Sequence, residues 1–163
     1  MINKINLFFV TFFGLGYIKF APGTLASIIT SILLFIAFHL LNIPINIILI
    51  FLFFMILYAF YAINIFIKKN KNKDPKEVVI DEVIGQSIPI CLYEISHGMS
   101  KEFNDAIIFY IIIFILFRFF DILKPFPVNF FDKKFKNSFG VILDDVCAGL
   151  YVVLVIIIYM LLK

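Results

Sequence analysis

Apolar residues run in long blocks along this chain, and the polar residues between them are few and grouped. Four blocks stand out: Leu25–Leu41, Ile45–Ile67, Ala106–Phe120 and Val146–Leu162. Each approaches the roughly 20 residues that a helix needs to cross a bilayer, the third being short. Asn42 and Pro44 mark a tight break between the first two, because proline suits a helix start and disfavours helix in the residue before it. A fifth, weaker run, Val78–Tyr93, carries Asp81 and Glu82 at its head, Gly85 in its middle and Pro89 further on. The pattern predicts an all-α protein: one domain over residues 1–163, built as a compact membrane bundle of about four to five apolar passes. The weaker run either crosses or is re-entrant.

Composition agrees with a bilayer as solvent. The 163 residues are 63% hydrophobic and 15% charged, with a mean hydropathy of +1.09, whereas soluble domains are about 25% charged. Lys4 and the run Ile5–Phe13, with Thr24-Leu25-Ala26 beyond, imitate a short signal peptide, but cleavage there would fall at the head of a helix. Cys91 and Cys147 both sit in apolar surroundings and make no disulfide framework. His39 and His97 stand alone, so a Cys/His metal cluster is not expected. The net charge of +3 is small, and no nucleic-acid partner is expected. Its distribution matters more. If Val78–Tyr93 crosses, Lys4, Lys19, the lysines of 68–76 and the basic residues of 118–136 share one side, leaving only Lys101 and Lys163 opposite. The positive-inside rule makes the crowded side the cytoplasm.

In that topology four polar stretches reach the same surface. The first is "GLGYIKFAPGTLAS", residues 14–27. Pro22-Gly23 reads as a turn and Thr24 as the N-cap of the following helix. A helix start with free N–H groups suits an anion, and Lys19 adds charge. A plain capped turn explains the same residues, and neither a dinucleotide fingerprint nor a Walker loop is present. The second stretch is Asp81-Glu82. The third is "FRFFDILKPFP", where Arg118, Asp121 and Lys124 lie three residues apart and fall on one helical face. The fourth is Asp144-Asp145, placed by the pattern at the start of the last helix. As caps these acids would gain about 0.3–1 kcal/mol from a helix dipole, against about 2.5–3.5 kcal/mol to insert one Asp near hydrocarbon. Capping alone does not justify two acidic pairs. Five carboxylates without His or Cys make a hard, all-oxygen site that suits Mg²⁺, with Arg118 and Lys124 placed to hold a phosphate. Gly85, Ala148 and Gly149 follow the acids by about one turn and allow close helix approach.

These stretches carry a resemblance. Gly16, Ala21-Pro22-Gly23-Thr24 and Ser27; Asp81-Glu82-x-x-Gly85; Phe117-Arg118-x-Phe120-Asp121-x-x-Lys124-Pro125-x-Pro127; and Asp144-Asp145-x-x-Ala148-Gly149 look like the phosphatidylglycerophosphatase A family, from about residue 8 to the C-terminus. The resemblance implies a compact helical bundle and a Mg²⁺-dependent phosphatase of the bacterial inner membrane that converts phosphatidylglycerophosphate to phosphatidylglycerol and phosphate. Its partners would be a membrane phospholipid and the bilayer, with a homo-oligomer left open. One departure is Ala26, where the family usually has glycine. The expected metal ligands are among Asp81, Glu82, Asp121, Asp144 and Asp145, one of which could serve as general base; the expected phosphate contacts are Arg118, Lys124, Lys19, Gly23 and Thr24. Neither cysteine begins a Cys-x5-Arg loop, so a cysteinyl-phosphate route is not expected, while an aspartyl-phosphate route stays open. Two rivals remain at this stage. A CDP-alcohol phosphotransferase also uses membrane carboxylates, but its spaced signature is missing. A small ion transporter or membrane assembly subunit would also carry intramembrane acids.

Overall fold

The computed structural model describes residues 4–69, 76–97, 103–135 and 137–162. Among them are seven α-helices and no strand: α1 Lys4–Val10, α2 Pro22–Phe35, α3 Ile45–Lys69, α4 Ile80–His97, α5 Phe103–Leu123, α6 Val128–Lys134 and α7 Ser138–Leu162. A 3-10 turn, Leu15–Tyr17, precedes α2, and a π turn, Ile36–Leu40, prolongs it. Four helical stretches are long and apolar enough to cross a bilayer: Pro22–Leu40, Ile45–Lys68, Phe103–Leu123 and Ser138–Leu162. The all-α membrane bundle expected from the pattern is the architecture observed. Most of the loop 68–77, together with Lys101, Lys136 and Lys163, lies outside the described residues.

Three boundaries differ from the apolar blocks, each for the same reason. Block ends were drawn at the first polar residues, but polar residues here belong to the helices. The helix α5 takes in Asn104, Asp105 and Asp121 beyond the block Ala106–Phe120 and so is not short. The helix α7 begins at Ser138, six residues before Asp144, so Asp144-Asp145 sit in its second turn and its first turn holds no acid. The helix α2 begins at Pro22 itself, preceded by Ala21 at φ 44° in the left-handed region. Pro22-Gly23 is therefore the first turn of the helix, not a loop before it, and Thr24 is its third residue rather than its cap. Proline in the first turn loses no helical hydrogen bond, because its missing N–H has no partner there.

Lipid and protein faces separate cleanly on the long helices. On α5, Ala106, Tyr110, Ile113 and Phe117 are buried, at spacings that keep one stripe inward, while Ile108, Ile111, Ile115 and Phe119 are exposed. The helix α4 is different. It packs against α2, α3, α5 and α7, and its residues from Ile80 to Cys91 are buried with few exceptions. Its weak hydropathy is explained by this position: surrounded by protein rather than lipid, it can carry Asp81, Glu82, Gln86, Ser87 and Glu94.

Contacts with α2 fix the course of α4. Near its head, Glu82 lies against Gly23 at the start of α2. Near its end, Glu94 Oε1 lies 3.1 Å from His39 Nε2 at the end of the π turn. The two helices thus run side by side from one end to the other.

Two features seat α4. Val79 N–H donates to Val10 C=O at 3.0 Å, and a Cβ on the buried Gly16 would overlap the Glu77 carbonyl. The opening segment is stitched to the head of α4 in this way. Lower down, Pro89 deprives the Gly85 carbonyl of its helical donor. That carbonyl faces Gly149, where a Cβ would stand only 2.5 Å from it. Glycine on α7 leaves room for the freed carbonyl and lets the two backbones touch.

Candidate active site

The acids that the sequence spreads over three stretches meet in space. Asp81 and Glu82 come from the first turn of α4, and Asp145 from the second turn of α7. One carboxylate oxygen from each lies within 4.8 Å of the others, a spacing that one metal ion can bridge. Asp81 and Asp145 are buried, at 8% and 4% exposure. Asp121, near the end of α5, is a close neighbour of Asp145 and within electrostatic reach of Glu82. Asp144, next to Asp145 on α7, receives a hydrogen bond from Lys124 Nζ at 3.1 Å.

Small residues make this approach possible. A Cβ on Gly85 would lie 2.7 Å from the Asp145 carbonyl and 2.8 Å from the Phe117 ring. A Cβ on Gly23 would overlap the Glu82 carboxylate. Glu82 therefore fills the space of an absent side chain at the N-terminus of α2, where the helix dipole favours negative charge. Ser27, one turn on, donates to Gly23 C=O at 2.9 Å.

Charge is not balanced within the cluster. Five carboxylates meet the two cations Arg118 and Lys124, leaving a formal excess of three negative charges. Buried like charges at this range repel strongly unless a cation or protons intervene. The hydrogen-bond pattern marks the same deficit. Asp81 Oδ1, Glu82 Oε2 and Asp145 Oδ1 are buried acceptors without a donor, and an unmet buried polar atom costs about 1–3 kcal/mol. Oxygen-only ligands in this number fit Mg²⁺ and give a softer metal nothing to prefer.

Beside these acceptors stands an unspent donor. Arg118 Nη1 lies 2.6 Å from Asp121 Oδ2, an ionic contact between helix neighbours, while Arg118 Nε is buried without a hydrogen-bond acceptor. A guanidinium in that condition is suited to a planar or tetrahedral oxyanion. Lys19 is exposed and, among the described residues, forms no ion pair with an acid of the cluster. Thr24 is half-buried in the first turn of α2, next to Gly23.

One polar constellation escapes a sequence reading. His39, which looks isolated, meets Glu94, and Tyr110 O–H donates to the same Glu94 oxygen at 2.8 Å. The three come from α4, α5 and the extension of α2, at the end of the bundle away from the acids. The signal for it in the sequence is Glu94 itself, an acid placed just past the end of the run Val78–Tyr93.

The sequence family described as Phosphatidylglycerophosphatase A matches residues 8–160. The chain belongs to the phosphatidylglycerophosphatase A family. Membership makes it a phosphatase, an enzyme that cleaves phosphoric monoesters. It is 37% identical over 156 residues to a protein of Haemophilus influenzae named Phosphatidylglycerophosphatase A, covering 96% of this chain and 88% of that one. It is 36% identical over 145 residues to a Bacteroides thetaiotaomicron protein named "Putative phosphatidylinositol-3-phosphatase", covering 86% and 84%. A shorter match, 39% over 36 residues, joins it to Phosphatidylglycerophosphatase A of Escherichia coli. No solved structure matches the chain.

Proposed function

We propose that this chain is a Mg²⁺-dependent phosphatase that hydrolyses phosphatidylglycerophosphate to phosphatidylglycerol and phosphate, with its active face on the cytoplasmic side of the bacterial inner membrane. The observation that carries the reading is the pairing of opposite deficits in one buried place. Donorless oxygens of Asp81, Glu82 and Asp145 stand beside the acceptorless Nε of Arg118. A divalent cation meets the first need and a phosphate monoester meets the second.

Asp81, Glu82 and Asp145 would hold the cation, with Asp121 and Asp144 completing or orienting its surroundings. The chemistry such a cation supplies when bound is polarisation of the phosphoryl oxygens and activation of a water. Arg118, oriented by its ion pair with Asp121, binds the phosphate through its guanidinium and offsets the charge that develops during transfer. Lys124, held by Asp144, keeps a second positive charge at the rim. Burial of the cluster among α4, α5 and α7 excludes bulk water and strengthens each of these interactions. In the reaction the water oxygen bonds to phosphorus, the terminal P–O bond to glycerol breaks, and the leaving alcohol takes up a proton.

The cytoplasmic assignment rests on the lysine distribution. The choice of glycerophosphate headgroup rests on the family and on the Haemophilus relative; the Bacteroides relative's name offers an inositol headgroup as the competitor. Purified protein is tested on vesicles containing phosphatidylglycerophosphate or phosphatidylinositol 3-phosphate, with Mg²⁺ or with EDTA. Phosphate release from the first lipid, abolished by EDTA and restored by Mg²⁺, is expected. Release that survives EDTA overturns the metal assignment, and preference for the second lipid overturns the headgroup.

A further inference from the structure

Between the opening segment and helices α2, α3 and α4 lies a cavity of about 460 Å³, within the range of ordinary ligand sites. Its walls include Phe12, Leu34 and Ala37, Leu52 of α3, and Ile80 and Val83 of α4. Two hydroxyls reach it, and both are spent. Thr30 donates to Ala26 C=O at 2.8 Å and Ser87 to Val83 C=O at 2.7 Å. Water would find almost nothing to bond there. An alkyl chain would lose nothing by entering.

The position of the cavity argues for a particular chain. Ile80 and Val83 flank Asp81 and Glu82 on the first turn of α4, so one end of the cavity is walled by the same helical turn that carries these carboxylates. Its other wall descends α2 from Thr30 to Ala37, about 10 Å along the axis and away from Gly23. Three lining residues, Phe13, Leu33 and Phe51, are also 67%, 50% and 65% exposed. They give the cavity a side opening on the apolar outer surface of the bundle. A second apolar cavity of about 320 Å³ lies on the other flank of α2, against α5. It has no lining residue from α4 and no such continuity with the acids.

We propose that the first cavity seats one acyl chain of the glycerophospholipid whose phosphate meets the acid cluster. This rests on the reading of the site as a lipid phosphatase and adds to it a place for the tail. The lipid enters sideways between Leu33 and Phe51 and is anchored beside α2, which fixes the height of its phosphate against Arg118 and the acids. Chain occupancy then contributes to kcat/KM for long-chain substrates and is absent for short-chain ones.

The test narrows the deep end of the cavity with Ala37→Phe and uses Ile111→Phe, in the second cavity, as a control. Phosphate release is measured from dioleoyl and dihexanoyl forms of phosphatidylglycerophosphate. Ala37→Phe is expected to lower kcat/KM for the dioleoyl lipid about tenfold, the loss of roughly two buried methylenes. The dihexanoyl lipid should be unaffected, which also shows that the variant is folded. Ile111→Phe should change neither. Equal losses on both lipids, or no change on either, overturn the proposal. A second arm needs no turnover: phosphatidylglycerol with a diazirine at one chain terminus is photolysed with the full-length protein in phosphatidylethanolamine vesicles. Label should concentrate on the segments around Leu34 and Leu52 and fall in Ala37→Phe. Label spread evenly over the lipid-facing helices overturns the cavity assignment even if phosphatase activity is present. Absence of activity with concentrated label refutes the reaction and leaves the lipid seat standing.

Discussion

Lys124 Nζ lies 3.1 Å from Asp144 Oδ2, tying the residue just beyond α5 to the second turn of α7. A lysine that the sequence offers to phosphate is thus also the partner of a site carboxylate. The pair is partly exposed, at 31% and 11% for the two side chains, so the bond itself is a small contribution to stability. Its value is in charge placement.

Lys124→Ala should therefore lower kcat/KM for lipid about 10- to 100-fold, the effect of losing one charged contact to phosphate. Removing a cation leaves the acids more negative, so the Mg²⁺ concentration giving half-maximal rate should stay the same or fall. A Mg²⁺ titration of phosphate release reads both numbers. A raised Mg²⁺ requirement with full activity at saturation would make Lys124 an organiser of the metal ligands instead.

Asp121→Asn and Asp145→Asn should each reduce turnover by about 100-fold or more, since an amide keeps the volume but loses the charge that a hard cation needs. Stability should move the other way. Asp145 is buried among Asp121, Glu82 and Asp144, and removing one of several buried like charges relieves repulsion. Thermal unfolding of the metal-free Asp145→Asn protein, compared with phosphate release, should show an inactive variant at least as stable as the parent, whereas Asp121→Asn also loses the Arg118 ion pair. A destabilised variant with normal turnover would leave these acids a purely architectural part.

Much of this is legible in the sequence. Blocks of apolar residues fix the four long helices because lipid tolerates little else on their outer faces, and the acids stand out because burying them is costly. Two kinds of feature were hidden. Helices run past the apolar blocks wherever polar residues continue them, as at Ser138 and Phe103, because hydropathy reports solvent and not backbone geometry. Thr24 looked like a cap because its chemistry suits one; Ala21 in the left-handed region starts the helix three residues earlier. Contacts between distant segments were also hidden, and the meeting of His39 with Glu94 has no local signature.

Gly85→Ala tests the closeness of α4 and α7. The new methyl would meet the Asp145 carbonyl at 2.7 Å, its Cβ at 2.9 Å and the Phe117 ring at 2.8 Å. Backbone has to move, so a cost of about 1–3 kcal/mol is expected, together with a loss of turnover as Asp145 shifts from Asp81 and Glu82. Chemical unfolding and phosphate release should fall together. Unchanged values in both would mean that the helices are further apart than described here.

Orientation is read from labelling. Cysteine in place of exposed Asn137, before α7, should react with an impermeant maleimide only from the cytoplasmic side. Cysteines at exposed Asn42 and Ser96, near the far ends of α2 and α4, should react only from outside. Reaction of Ser96→Cys from the same side as Asn137→Cys would contradict the parallel course of α2 and α4.

Glu94 separates stability from catalysis. It accepts from Tyr110 at 2.8 Å and lies 3.1 Å from His39, closing three helices at the end remote from the acids. Along α4 it stands twelve residues beyond Glu82, about 18 Å at 1.5 Å per residue. Glu94→Ala removes the common partner and leaves a buried hydroxyl and an imidazole unmet, for a cost of about 1–3 kcal/mol. Coulomb coupling over that distance is weak compared with contact terms, so kcat of the folded fraction should stay within about twofold. Thermal unfolding is expected to drop while activity per folded molecule holds. The opposite result, a stable protein with turnover largely lost, would extend the catalytic machinery along the whole length of α4 and refute a division of this helix into a reactive head and a structural foot.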